Sequence, residues 1–370
     1  MEEGKTVKNR MKEYFKALPK RYFITAFSGM AQGLFVTLIA GTILAQIAGW
    51  INKIGGGNYI GDTLLDIANI AKSLMGAGIG VGIAYALGKN KLLTFSAAVA
   101  GMVGAFADRL MVGEGAFTVL GLGAPGNPIG AYVVTMLCVE IVGLYAGKTK
   151  LDILLVPLGT LVLSLGGVFV AYPFIEFVNL LGKGIEKATA ITPFFMGIVI
   201  AVAMGILLTM PTSSAAIWLS FALGNTSNAM LLAGGAATVG CACHMVGFAV
   251  ASYRENKVSG LISQGIGTSM LQIPNIMKKP VIMLPMVISS AICGPLSTCL
   301  FKLKCGASGG GMGTSGLVGV FALIEETSGV LGYFGIALLM FILPAVLNFA
   351  ISEFMRKKGW IKYGDMKLND

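Results

Sequence analysis

From Ala188 to Tyr253 the chain carries no Asp, Glu, Lys or Arg. One crossing of a bilayer's hydrocarbon core takes about 20 apolar residues, so an uncharged interval of this length restricts the chain to membrane-embedded architectures. Composition agrees: 55% of the 370 residues are apolar and 12% are charged, with a mean hydropathy of +0.81, against roughly 25% charged in a soluble domain. Between Lys304 and Glu353 the only charged residues are Glu325 and Glu326, side by side in a glycine-rich setting. An acidic side chain near the bilayer centre costs about 2.5–3.5 kcal/mol on insertion scales, so it marks a polar cavity that handles substrate, ion or proton.

The net charge of +10 would point to nucleic acid in a soluble protein, but the basic residues gather at the ends and in short loops. Lys5, Lys8, Arg10, Lys12, Lys16, Lys20 and Arg21 precede the first apolar run, and Arg356, Lys357, Lys358, Lys362 and Lys367 follow the last. By the positive-inside rule both termini are expected in the cytoplasm, with residues 1–21 and 356–370 as tails, and no nucleic-acid partner is called for. The run from Tyr22 to Trp50 is too long for a signal-peptide core and is read as a retained first helix. Cys138, Cys241, Cys243, Cys293, Cys299 and Cys305 lie in or beside apolar segments and read as small buried hydrophobes. One histidine and no CxxC pair argue against a metal site, and no cofactor is expected.

Apolar runs occupy 22–50, 73–87, 92–107, 128–146, 152–180, 193–210, 226–251, 280–301 and 333–352. Two cytoplasmic termini need an even number of crossings, so the expectation is an all-α membrane protein of about ten transmembrane helices, one of them hidden in an irregular region. Gly76, Gly78, Gly80 and Gly82, with Gly101/Gly104 and Gly143/Gly147, predict close helix packing, part of it between protomers. Residues 53–72, 182–192 and 254–279 carry scattered charge and read as surface loops or short amphipathic helices.

Three segments are too polar or too rich in Gly and Pro for ordinary spans: 121–130, 211–228 and 305–330. Irregular backbone at membrane depth survives only when buried in protein or lining an aqueous cavity, and interrupted helices point to a transporter's binding site. The two C-terminal segments supply Thr212, Ser213, Ser214 and Asn225 on one side and Thr314 and Ser315 on the other as candidate substrate contacts. His244, the only histidine, adds a group able both to donate and to accept hydrogen bonds. Gly311 to Gly316 satisfies GxGxxG without a surrounding βαβ unit, and no Walker lysine follows. A hydrolytic triad built from Ser213 or Ser214, His244 and Glu325 has no support in spacing, and HExxH would need a second histidine. Neighbouring helical positions point about 100° apart, so one glutamate at most faces a ligand squarely. Burial and like charge disfavour ionisation of the pair, which suits a general base or proton carrier.

The order of a glycine-rich N-terminal half, then MPTSSAAI (210–217), then a lone membrane histidine at 244, then an acidic irregular segment resembles the IIC permease of the bacterial phosphotransferase system. Within its glucose superfamily it is most similar to the IIC-like branch that includes the perfringolysin regulator. The resemblance spans roughly 20–355. It implies a homodimer in the bacterial cytoplasmic membrane, with 22–180 as the dimerisation half and 181–355 as the sugar-carrying half with two re-entrant hairpins. ALIEE (322–326) resembles the family's GITEP segment, which places Glu325 at the glutamate that accepts a sugar hydroxyl and Glu326 where proline is usual. His244 is the match for the family's sugar-contacting histidine.

Such a permease is the membrane component of a sugar phosphotransferase rather than a complete enzyme. Both tails are too short for a fused IIA or IIB domain, so those phosphocarriers are expected in trans. Two other readings fit the same residues: a membrane sensor of the perfringolysin-regulator type, and a secondary transporter in which Glu325 or Glu326 carries a proton.

Overall fold

The computed structural model describes residues 18–55, 59–112, 126–210 and 214–368. Among them the secondary structure is helical, and the chain divides into two units, Met1–Glu176 and Phe177–Asp370.

Each of the nine apolar runs becomes a helix. In the first unit these are α1 (Leu18–Lys53), α3 (Met75–Ala86), α4 (Lys91–Ala105), α6 (Pro128–Val142) and α7 (Asp152–Ile191), the last running on past the unit boundary. Two further helices accompany them: α2 (Tyr59–Ser73) and α5 (Ala107–Val112). Asn90 starts α4 by accepting the Leu93 N–H at 2.9 Å. Asn127 starts α6 by accepting those of Ile129 and Gly130, ahead of Pro128 at the first helical position.

Glycines set the packing of this unit. A methyl group at Gly33 would lie 2.3 Å from the Gly78 carbonyl carbon, one at Gly76 would lie 2.6 Å from the Gly101 oxygen, and one at Gly104 would lie 2.3 Å from the Gly130 oxygen. The α1–α3, α3–α4 and α4–α6 crossings therefore exist only because these residues lack side chains. These small-residue faces meet one another within the chain.

The second unit is built on α10 (Asn228–Ala251). From Ala233 to Met245 every residue is buried, because Ala, Gly, Cys and Thr make a thin helix that neighbours approach from all sides. Around it stand α8 (Pro193–Thr209), α13 (Pro280–Leu300) and α15 (Val330–Lys357). A methyl at Gly240 would meet the Ala201 oxygen of α8 at 2.0 Å, and one at Gly235 would meet the Leu303 oxygen at 2.0 Å. Shorter helices complete the unit: α9 (Ser214–Ala222), α11 (Tyr253–Ile262), α12 (Ile273–Lys278) and α14 (Val318–Glu326).

Contacts assign each element to one end of α10. At the Ala251 end, Arg356 donates to the Ala251 carbonyl at 3.0 Å and pairs with Glu255 at 3.1 Å, while Lys279 pairs with Asp365 at 2.7 Å. The C-terminal residues are tied down here: Asn256 and Gln272 donate to the Met366 carbonyl, and Asn275 donates to that of Lys367. At the Leu231 end, the Cys305 N–H donates to the Leu231 carbonyl and Asn225 donates to Glu186 of α7.

Among the described residues five helices are long and apolar enough to cross a membrane: α1, α7, α10, α13 and α15. The pair α2 and α3, bent by 51°, makes a sixth. Ten is not reached by this measure, because α4, α6 and α8 have 15, 15 and 17 residues, about 22–26 Å at ~1.5 Å per residue against a ~30 Å core. Residues 53–72 prove to be mostly α2, and 182–192 continue α7 rather than forming a surface loop. Five of the six cysteines are buried as expected, but Cys299 is exposed.

Candidate functional site

The two irregular C-terminal segments meet. After Cys305 the chain follows α10 inward: Gly313 lies against Cys241 and Ala242, and the Thr314 hydroxyl sits 3.6 Å from the Met245 sulfur. Glycines at 311, 313 and 316, with φ of +78°, +55° and +52°, allow the backbone to turn there. It then returns as α14, with Gly319 against the Gly313 oxygen and Thr238. The ends of this excursion are pinned together, since Thr327 Oγ1 accepts the Lys304 N–H at 2.9 Å and contacts the Lys304 carbonyl at 3.2 Å. Residues 305–327 thus form a hairpin that enters and leaves at the Leu231 end.

Ser214, the first residue of α9, donates its hydroxyl to the Gly311 carbonyl at 2.7 Å, joining the second segment to the turn of this hairpin. Trp218, one turn further along α9, is buried against Gly310, and its indole Nε1 has no hydrogen-bond partner among the described residues. Thr212 and Ser213 lie outside the described residues.

Next to this junction His244 is fully buried. Thr209, at the end of α8, donates its hydroxyl to the Gly205 carbonyl at 3.1 Å. Its oxygen lies 2.9 Å from His244 Nδ1 and 2.9 Å from Ser269 Oγ. Thr209, His244 and Ser269 thus form one buried chain of hydrogen bonds through the Thr209 hydroxyl and His244 Nδ1, with Nε2 on the far side of the ring. No described residue bonds to that nitrogen. The stretch that supplies Ser269, a π-helical turn over Ser263–Gly267 and a 3₁₀ turn over Ser269–Gln272, also closes over the hairpin. Thr314 donates to the Gly265 carbonyl and Ser315 to that of Gly267.

Ser214, Thr314, Ser315 and His244 therefore form one polar hub in the middle of α10. The glutamates do not join it. Both are exposed on the last turn of α14, whose buried positions are Val318, Gly319, Val320, Ala322 and Leu323, and the Thr327–Lys304 pair ties that turn to the Leu231 end. His244 lies about 20 Å further along α10 than Leu231 at ~1.5 Å per residue. The expectation of a buried pair is not met within the described residues of this chain, where both carboxylates lie exposed at the end of a nine-residue helix. Asn225 is also apart, with its amide donating to Glu186 at 2.6 Å and its oxygen accepting the Ser227 N–H.

Sequence reasoning missed Thr209, Trp218 and Ser269. A signal for Ser269 was present: from Val258 to Met277 there is no charged residue, and the charge that made 254–279 look like surface stands only at its ends.

Long apolar helices around a fully buried small-residue helix, with a hydroxyl- and imidazole-lined junction of two irregular segments, define a multi-pass membrane protein with a polar site enclosed by its own chain. The sequence matches the family "Phosphotransferase system, EIIC" over residues 24–368, and the chain belongs to that family. It is a sugar phosphotransferase permease component. No curated protein matches it.

Proposed function

We propose that this chain binds a sugar at the junction of its two C-terminal hairpins and carries it across the bacterial cytoplasmic membrane, for phosphorylation by a separate IIB protein charged by IIA. The observation that carries this reading is the Ser214–Gly311 hydrogen bond. It joins segments about 100 residues apart in the sequence, inside a family-matched chain that also buries an imidazole with one ring nitrogen left without a partner among the described residues. Hydroxyl donors and acceptors held at membrane depth suit a polyol.

The remaining parts of the reading follow. Residues 305–327 and the 211–228 region act as re-entrant hairpins, and the short helices α4, α6 and α8 complete a count nearer ten with neighbouring segments. The Ala251 end, which carries Arg254, Lys257, Lys278, Lys279 and the basic C-terminal residues, faces the cytoplasm, and with it both termini. Residues 22–180 serve as the scaffold of a homodimer, whose contact surface is formed by exposed apolar residues such as Phe169, Phe174 and Phe177 rather than by the glycines. Residues 181–355 move the sugar.

Glu325 takes the role of the sugar-hydroxyl acceptor that assists deprotonation. Its exposure makes it reachable, and it meets a sugar when the hairpin shifts along α10. The test is sugar binding and IIB-dependent phosphorylation in Glu325→Gln and Glu326→Gln. A charge-assisted hydrogen bond contributes about 1.5–3 kcal/mol, so Glu325→Gln is expected to bind roughly ten- to hundredfold more weakly and to lose more in phosphorylation. Glu326→Gln is expected to change less. Wild-type values for Glu325→Gln in both assays would remove the assignment.

A further inference from the structure

At the Leu231 end, outside the polar hub, a cavity of about 400 Å³ is lined by Leu300, Phe301, Lys302, Lys304, Thr327, Ser328, Leu331 and Gly332. Its chemistry is divided. One wall is apolar and continuous with exposed membrane-facing residues: Leu300 and Leu331 are more than half exposed, and Val330 and Phe334 extend the surface. The other wall carries two lysines two positions apart, and neither forms an ion pair with a described residue. Glu325 and Glu326, on the preceding helix, do not line it.

The local backbone holds this arrangement in place. Lys302 sits at φ +47°, a conformation that costs a non-glycine residue energy. Lys304 is fixed from both sides, by its N–H to Thr327 and its carbonyl beside the same hydroxyl. The first turn of α15 opens into the same place behind Gly329, with no side chain capping it, so its N–H groups add to the positive potential. Two cations, an uncapped helix start and a hydroxyl face one space, bordered on its other side by the exposed apolar residues Leu300 and Leu331 at the ends of two membrane-length helices.

We propose that this cavity binds the phosphodiester headgroup of an anionic phospholipid, with Lys302 and Lys304 on the phosphate and an acyl chain lying over Leu300 and Leu331. A free phosphate would satisfy the lysines but leave the apolar wall bare. A zwitterionic lipid would cover the wall but bring its own cation to the lysines. Two lysines near a membrane surface set the scale: their removal weakens binding about 30-fold.

The test uses the full chain, delipidated in detergent and titrated with phosphatidylglycerol, phosphatidylcholine or inorganic phosphate, with the thermal unfolding midpoint and lipid retention in native mass spectrometry as readouts. The expected result is stabilisation by phosphatidylglycerol beyond that by phosphatidylcholine, and little from inorganic phosphate. The Lys302→Gln/Lys304→Gln variant should need about 30-fold more phosphatidylglycerol, while Lys357→Gln/Lys358→Gln, at the other end of α10, should titrate like the wild type. Should the first variant not fold, the wild type alone decides, because its preference for phosphatidylglycerol must shrink as salt rises from 50 to 500 mM. Equal effects of the two lipids, a wild-type titration in the variant, or full reproduction by inorganic phosphate would each overturn the proposal. So would a change in oligomeric state with unchanged lipid titration, which would give the pocket to a second copy of the chain.

Discussion

Gly240→Ala tests the packing logic of the second unit at its tightest point. The added methyl would lie 2.0 Å from the Ala201 oxygen and 2.5 Å from the Ala201 carbonyl carbon and Cα. All three are backbone atoms, so no side chain can rotate away, and α8 and α10 must separate by about 1 Å. Overpacking of this kind costs about 1–3 kcal/mol. The same separation strains the Thr209–His244 contact, one turn further along α10 and about two further along α8, a hydrogen bond with a net contribution of about 1 kcal/mol. Against this, alanine is favoured over glycine within a helix by about 1 kcal/mol. The net loss is therefore about 1–3 kcal/mol, a fall of about 2–12 °C in the unfolding midpoint for a unit of this size. Gly184→Ala is the matched control: it lies in α7, where a methyl meets nothing within 4 Å, so it keeps the propensity gain and should leave the midpoint level or slightly raised. The assay is thermal unfolding of the purified protein in detergent. A midpoint for Gly240→Ala equal to or above that of Gly184→Ala would refute the reasoning.

Thr209→Val should destabilise by about 1–3 kcal/mol, because it leaves two buried polar groups, His244 Nδ1 and Ser269 Oγ, without their shared partner; Thr209→Ser should recover most of the loss in the same unfolding assay. Asn127→Ala removes the cap of α6 and should cost about 1 kcal/mol, measured in the same way against Asn127→Ser. Burial raises the Asp365 carboxyl, but hydrogen bonds from Lys279 and the Lys362 N–H outweigh it and hold the group below its ordinary range. Its contribution is then fully present above the unfolded value, near 4, and lost as pH falls through the lower folded value. Amide exchange in residues 360–368 should stay slow down to about pH 4 and quicken below it, whereas Asp365→Asn should already exchange fast at pH 7; identical profiles would exclude a role for the Lys279–Asp365 pair in holding these residues.

The helices were legible because one physical quantity determines them. An apolar run of membrane length has no alternative to satisfying its backbone internally, and all nine runs did so. The uses of those helices were not legible. Gly76, Gly78 and Gly82 mark positions where another backbone approaches closely, but the pattern is the same whether that backbone belongs to α4, as for Gly76, to α1, as for Gly78 and Gly82, or to a second protomer. Glu325 and Glu326 looked buried because the surrounding sequence is apolar. The structure puts them on the exposed turn of a short helix, whose place is set by the burial of Val320, Ala322 and Leu323 and by the Thr327–Lys304 pairing, which is invisible in sequence.

The polar hub was half visible for a related reason. Its side chains, Ser214, His244, Thr314 and Ser315, stand out in an uncharged sequence, whereas three of their partners are the carbonyls of Gly265, Gly267 and Gly311, which have no side-chain signature. That choice of partner has a functional consequence on the proposed reading. Four hydrogen bonds close the hub: Ser214–Gly311, Thr314–Gly265, Ser315–Gly267 and Thr209–Ser269. At a net contribution of about 0.5–1.5 kcal/mol each, opening it costs about 2–6 kcal/mol. A sugar offering several hydroxyls to the same donors and to the carbonyls they leave can replace these bonds one for one, and His244 Nε2, without a partner among the described residues, gives it one more polar atom that the closed hub does not use. The sugar then binds the open arrangement more tightly than the closed one, and that difference is the only means by which it can shift the equilibrium between them. Apolar packing alone would bury the hub without letting a polar ligand exchange for any of it.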